Sequence, residues 1–253
     1  MKILTSNDDG VRADGNIFLR EELAKNHEVI TIAPNQERSS CGHGITLGEP
    51  IRLNQIQENV YSCSGFPADC VLVGLGHLLK NNRPDLVVSG INIGANLGQD
   101  RFYSGTVAAA REAAFRGVPA IAASLVIKRI KDAQHFDVAA KFISKIVSKD
   151  VHKIIPSMSL LNINVPNLPQ NQIKGVRIAA TGYQIYSEEV VERQDIRGKS
   201  YYWVGGIYKG HQDVSGSDCN AVDEGFISVN LQNLWGKDFE DEQTIQSLKA
   251  CLD

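Results

Sequence analysis

Apolar residues over the first two thirds of the chain fall into two alternating patterns. Residues 2–6 and 29–33 are short, nearly continuous apolar runs, the second stopped by Pro34-Asn35, and residues 16–25 between them carry Ile17, Leu19, Leu23 and Ala24 near helical spacing. That order predicts a β-α-β unit. The alternation recurs as an apolar helix over 68–79 led by Pro67, a strand over 86–89 ending at Gly90, and an Ala-rich helix over 106–116 stopped by Gly117-Val118-Pro119. A strand over 120–126, a helix over 136–148 and a core strand over 160–166 continue it. Continuous apolar strands alternating with helices require both sheet faces to be covered, so the expected fold is α/β, a doubly wound (Rossmann-like), mostly parallel sheet.

The pattern changes beyond residue 180. Residues 183–208 are β-rich, with 188–192 and 201–204 flanking an Arg197-Gly198-Lys199 turn, which predicts a long hairpin. A further strand is expected over 226–231 and a terminal helix over 244–252. No internal repeat or low-complexity linker interrupts the chain. The expected division is a Rossmann-like catalytic domain over 1–180 and a C-terminal hairpin and helix region over 181–253. The hairpin cannot bury Val190, Val191, Tyr201, Tyr202 and Trp203 against itself, and isolated hairpins are marginal in water, so this region is expected to serve oligomerisation.

Composition narrows the function. The 253 residues are 43% hydrophobic and 22% charged, which suits a folded globular chain. Lys and Arg number 26 against 29 Asp and Glu, net −3, with the basic residues scattered, so a nucleic acid polymer is not an expected partner. The N-terminal apolar run is shorter than the about 7–15 residues of an export signal. Apolar runs such as 120–127 fall short of the ~18 residues of a membrane span. Five cysteines, Cys41, Cys63, Cys70, Cys219 and Cys251, show neither paired spacing nor His partners, which argues against a disulfide framework or a zinc site and fits a reducing cytoplasm.

Ligands of open α/β sheets bind beyond the carboxyl ends of the strands, and three such ends here are rich in oxygen donors: residues 7–10, 35–44 and 89–98. Adjacent carboxylates facing one crevice repel unless one is protonated or a cation lies between them. Carboxylate, hydroxyl and amide oxygens suit a hard divalent ion, which singles out Asp8, Asp9, Ser39 and Asn92. Each taken alone is also ordinary turn or loop chemistry. Gly90, Gly94 and Gly98 match neither a dinucleotide-binding nor an NTPase pattern. Tyr103-Ser104-Gly105-Thr106 opens the Ala-rich helix, giving either an anion site suited to phosphate or a plain N-cap. His43 as proton donor and Arg38 as phosphate clamp stand beside their reading as polar loop residues.

The stretches 3–10, 33–39, 67–71, 89–98, 103–107, 162–166 and 217–222, which include Asn7-Asp8-Asp9-Gly10, Glu37-Arg38-Ser39 and Tyr103-Ser104-Gly105-Thr106, resemble the SurE family of survival-protein nucleotidases, in the family's order. The resemblance implies a cytoplasmic phosphoric monoester hydrolase, a 5'-nucleotidase acting on nucleoside 5'- and 3'-monophosphates, with some members also trimming short polyphosphate. It implies one divalent ion per subunit, Mg²⁺ or Mn²⁺, on Asp8, Asp9, Ser39 and Asn92, with Asp8 and Asp9 catalytic, and a phosphate-facing set of Asn96, Ser104, Gly105 and Thr106. It also implies a homodimer or homotetramer that exchanges its C-terminal portion. Two departures are visible: Ser40-Cys41-Gly42-His43 where a Gly commonly follows Ser39, and Glu112-Ala113-Ala114 in place of a frequent Glu-Gly. Metal-assisted attack by water is the expected reaction, with an aspartyl-phosphate route as its rival and a noncatalytic nucleotide sensor signalling through the hairpin as the alternative from another class.

Overall fold

The computed structural model describes residues 1–127, 131–187 and 189–236. In chain order it contains β1 (Lys2–Ser6), α1 (Asp14–Ala24), β2 (Glu28–Pro34), β3 (Leu53–Gln57), β4 (Val60–Cys63), α2 (Pro67–Val73), β5 (Leu86–Ile93), α3 (Gly105–Phe115), β6 (Ala120–Val126), α4 (Phe136–Val147) and β7 (Ser159–Pro166). Then follow β8 (Val176–Ile178), β9 (Gln184–Tyr186), β10 (Glu189–Gln194), β11 (Ser200–Gly205), β12 (Tyr208–His211), α5 (Asp218–Asp223) and β13 (Ile227–Asn233). Nine strands make one sheet in the order β3-β4-β2-β1-β5-β6-β7-β13-β8. From β4 to β7 every neighbouring pair is parallel, whereas β3 on β4 and β13 on β7 are antiparallel. The doubly wound α/β expectation holds.

Alternation along each strand sends side chains to two separate cores. Ile3, Leu86, Val88, Ile121 and Ile163 meet Leu19 and Leu23 of α1 and Phe136 and Ile143 of α4. Leu4, Val87, Ala120, Ala122 and Leu160 on the other face meet Val71 of α2 and Val107, Ala109, Ala110 and Ala113 of α3. The alanines let α3 lie close against the sheet, which brings its N-terminus up to the end of β1. Sheet order reverses at β1, with β2 on one side and β5 on the other, and this is the switch point where a crevice opens.

Several elements depart from the sequence expectation. The 68–79 helix is α-helical only to Val73 and widens into a π-type turn over Gly74–Leu78. Strand β5 does not stop at Gly90 but runs on to Ile93, its pairing with β6 shifting between Ser89 and Asn92. A methyl group on Gly90, whose φ is +142°, would stand 2.3 Å from the Ala123 carbonyl oxygen, so only glycine lets the two strands stay together there. The hairpin is present as antiparallel β10 and β11, and every side chain of both strands is exposed. A second pair, β9 with β12, closes its base. Beyond it, β13 enters the large sheet between β7 and β8. The terminal helix expected over 244–252 and the hairpin position 188 lie outside the described residues.

Candidate active site

Three strand ends converge at the crevice. As β1 leaves the sheet, Asn7 donates its side-chain amide to the Gly10 carbonyl at 2.9 Å and so closes the turn that presents Asp8 and Asp9. The Arg38 amide donates to the Asp8 carbonyl at 2.7 Å, which draws the loop after β2, with Ser39, alongside. The Ile93 amide at the end of β5 donates to Asp9 Oδ2 at 3.1 Å, which fixes Asn92 on the opposite side. Amides of the residues next to Ser39 and Asn92 thus bond to Asp8 and Asp9, which draws the four expected cation ligands towards one crevice.

Helix α3 covers Asp8 from behind. The Thr106 hydroxyl donates to Asp8 Oδ1, and a methyl group on Gly105 would stand 2.8 Å from Asp8 Cβ and 2.8 Å from Cys41 Sγ. Ser104 caps the helix, its hydroxyl oxygen accepting from the Val107 amide at 3.1 Å, an arrangement compatible with its hydroxyl proton being donated to a ligand as well. A cavity of about 680 Å³ lies in front, lined by Asp8, Ser39, Asn92, Asn96 and Ser104 together with Tyr103, Tyr183, Tyr186 and the hairpin base at Gly205 and Gly206. Asp9, Gly105 and Thr106 do not line it: they touch the residues that do. Thr106, read from the sequence as phosphate-facing, is fully buried and faces Asp8.

The charge at this point is unbalanced. Burial raises the Asp8 pKa, opposed by the Thr106 hydroxyl and the amides at the start of α3. Asp9 is pushed up to about 7, first by burial, then by repulsion from Asp8, with Glu37 adding to it and the Ile93 amide opposing. Among the described residues no Lys, Arg or His forms an ion pair with either carboxylate. Nor do three His, Cys, Asp or Glu side chains come together, so a metal here would need neutral oxygens as well. Those are at hand. Asn92 spends its Nδ2 on the Gly94 carbonyl at 3.0 Å, which leaves its amide oxygen to offer, and the Ser39 hydroxyl donates to Glu37 at 2.6 Å with lone pairs to spare. Two carboxylates and two neutral oxygens fit a hard divalent cation.

Asn96 is held more firmly than its sequence context suggests. Its amide nitrogen donates to Ser124 at 2.8 Å and its main chain exchanges hydrogen bonds with Asn162 and Asn164. Asn162-Ile163-Asn164, two amides on one face of an otherwise apolar strand, was the sequence signal for this network. The aromatic rim escaped the sequence reading, because Tyr183 and Tyr186 belong to the β9 region, which only the β9-β12 pairing brings to the cleft. Tyr186 and Gln184 both donate to Asp100, which locks the base of the hairpin to the cleft wall. Arg38 and His43 lie elsewhere: the Arg38 guanidinium sits over Phe66 and donates to the Ser64 carbonyl at 2.9 Å, and His43 is 3.0 Å from Glu112.

Residues 3–188 match the model of a known family, "Survival protein SurE". The chain belongs to the SurE family. Among SurE relatives, the 5'-nucleotidase SurE of Geotalea uraniireducens (strain Rf4) is 44% identical over 234 residues, 92% of this chain and 93% of the relative. The 5'-nucleotidase SurE of Vibrio vulnificus (strain CMCP6) is 45% identical over 229 residues, 90% and 88% of the two chains. The crystal structure of the SurE protein from Aquifex aeolicus superposes with a TM-score of 0.85 at 37% identity over the whole of both chains. Within the SurE match lie all the cleft residues named above except the hairpin base. Among the described residues no helix is long and apolar enough to cross a membrane.

Proposed function

We propose that this SurE-family chain is a metal-dependent 5'-nucleotidase that hydrolyses nucleoside 5'-monophosphates, and 3'-monophosphates and short polyphosphate as secondary substrates, to release phosphate. One observation carries the reading: two adjacent carboxylates, Asp8 buried and Asp9 half-buried, without a cationic partner among the described residues, at the switch point of the sheet, with Asp8 lining a cavity large enough for a nucleotide. The names of the relatives support the substrate class.

Asp8, Asp9, Ser39 and Asn92 would hold one divalent ion, Mg²⁺ or Mn²⁺. Such an ion polarises a phosphoryl oxygen and lowers the pKa of water. The chain does the rest. Thr106 and the amides opening α3 fix the orientation of Asp8 and share its charge. The two carboxylates aim the attacking water at phosphorus, in line with the leaving oxygen. Ser104 turns its free hydroxyl proton, and Asn96 its second amide proton, towards the phosphate oxygens, where donors already in place need no reorganisation. The tyrosine rim shields the reacting centre from bulk water and gives the nucleoside an apolar surface.

The same reading includes a cytoplasmic location, which the free thiols of Cys41, Cys63, Cys70 and Cys219 suit. It also includes a homodimer or homotetramer, for which the exposed Val190, Tyr202, Trp203 and Val204 speak. Phosphate release from a panel of nucleoside monophosphates, run with EDTA, Mg²⁺ or Mn²⁺, tests the activity. Turnover restored by metal after EDTA is expected. Tight nucleotide binding without turnover under every condition would leave a sensor instead.

A further inference from the structure

A second cavity, of about 690 Å³, opens on the opposite flank of α3, between Arg101, Arg111 and the end of β13. Its donors have few acceptors, and none of those is charged. Arg101 donates to the Thr181 hydroxyl at 2.5 Å and lies over the Phe102 ring, and Arg111 donates to the Arg101 carbonyl at 3.3 Å. Neither guanidinium forms an ion pair among the described residues, although both are half-buried. Asp218 acts on Arg101 through its charge, but its oxygens accept from the amides of Gly98, Gly182 and Cys219. Gln232, 7% exposed and lining the same cavity, has a buried Nε2 with no hydrogen-bond partner. A buried donor left unpaired, beside two close cations, is costly unless an acceptor with negative charge joins them.

We propose that Arg101, Arg111 and Gln232 form a binding site for a phosphoryl oxyanion, separate from the cleft at Asp8. Two guanidinium forks and an amide donor call for more acceptor oxygens than the two of a carboxylate, and a tetrahedral oxyanion supplies them. Exposed Phe102 and Phe115 leave room beside the anion for an apolar moiety. The oxyanion comes either from free phosphate or from the phosphate of a nucleotide. Its place has a consequence: Arg101 precedes the Ser104 cap by three residues and Arg111 follows Gly105 on the same helix, so an occupant bears directly on the turn that clamps Asp8.

Calorimetric titration of the full chain in EDTA with inorganic phosphate, and separately with a nucleoside 5'-monophosphate, tests this. Saturable binding at one site per chain is expected, weakened at least tenfold by Arg111→Gln and by Gln232→Leu, and changed less than twofold by Asp8→Asn. Arg111→Lys, which keeps the charge and loses the fork, is expected to fall between wild type and Arg111→Gln and serves if the latter does not fold. A nucleotide binding more tightly than phosphate through the same residues marks the nucleotide as the source, and equal affinities mark free phosphate. No saturation at millimolar phosphate overturns the proposal. So does binding untouched in a folded Arg111→Gln variant, binding lost in Asp8→Asn, or binding that emerges only after truncation at residue 236.

Discussion

Replacing Asp9 by asparagine removes one of two mutually repelling, wholly or partly buried charges and keeps the shape. The new amide oxygen can still accept from the Ile93 amide, which now lies 3.1 Å from Asp9 Oδ2. A carboxyl moved from its ordinary 3.8 to about 7 makes the folded anion unfavourable by on the order of 4 kcal/mol, at about 1.4 kcal/mol per tenfold. Because the folded-state pKa is raised, the folded chain binds more protons than the unfolded chain between roughly pH 4 and 7. Stability of the metal-free wild type therefore falls as pH rises through that window and levels off above it. Asp9→Asn lacks this loss, so in EDTA at pH 8 it is expected to be more stable than wild type by about 2–4 kcal/mol. For a chain of this size that is roughly a 5–10 °C rise in Tm, shrinking towards zero at pH 4. Calorimetric melting from pH 4 to 8 with EDTA, repeated with Mn²⁺, is the assay. Mn²⁺ is expected to raise the Tm of wild type much more than that of the variant. An Asp9→Asn protein less stable than wild type at pH 8, or with the same pH slope, would refute the reasoning that these charges are uncompensated.

Other substitutions separate the parts of the cleft. Thr106→Val deletes the hydroxyl that donates to Asp8 and is expected to raise the metal concentration for half activity several-fold, with a smaller change in KM for nucleotide, whereas a change confined to KM would return Thr106 to the phosphate. Gly105→Ala drives a methyl group to 2.8 Å from Asp8 Cβ and is expected to cost at least tenfold in kcat/KM and about 1–3 kcal/mol in melting experiments, with wild-type values counting against the close fit. Deleting residues 188–203 with a short Gly-Ser closure is expected to yield monomers in sedimentation while retaining metal binding, and a wild-type monomer at micromolar concentration would contradict the oligomer.

The parallel, doubly wound sheet and its crevice were legible because β1, β2, β5, β6 and β7 are nearly continuous apolar runs, a pattern only a covered parallel sheet needs. Asp8, Asp9, Ser39 and Asn92 could be nominated together because each follows such a strand. What escaped was decided by distant pairing. Residues 53–57 read Leu-Asn-Gln-Ile-Gln, too polar to announce an edge strand, yet β3 pairs with β4 along them. Helix α5 has six residues, too few for a period to show. The direction in which Thr106 points follows from how closely the alanines of α3 let it approach β1, and no local pattern encodes that distance. Arg101 and Arg111 are unremarkable in sequence and become notable only when β13 brings Gln232 beside them.

Calorimetric titration of Mn²⁺ into the metal-stripped chain is the decisive test that three strand ends form one cation site. One ion per chain is expected, with binding abolished in Asp8→Asn and Asp9→Asn and weakened by smaller factors in Ser39→Ala and Asn92→Ala, since neutral ligands contribute less than anionic ones. Binding of the same stoichiometry and affinity in wild type and in both aspartate variants would contradict it.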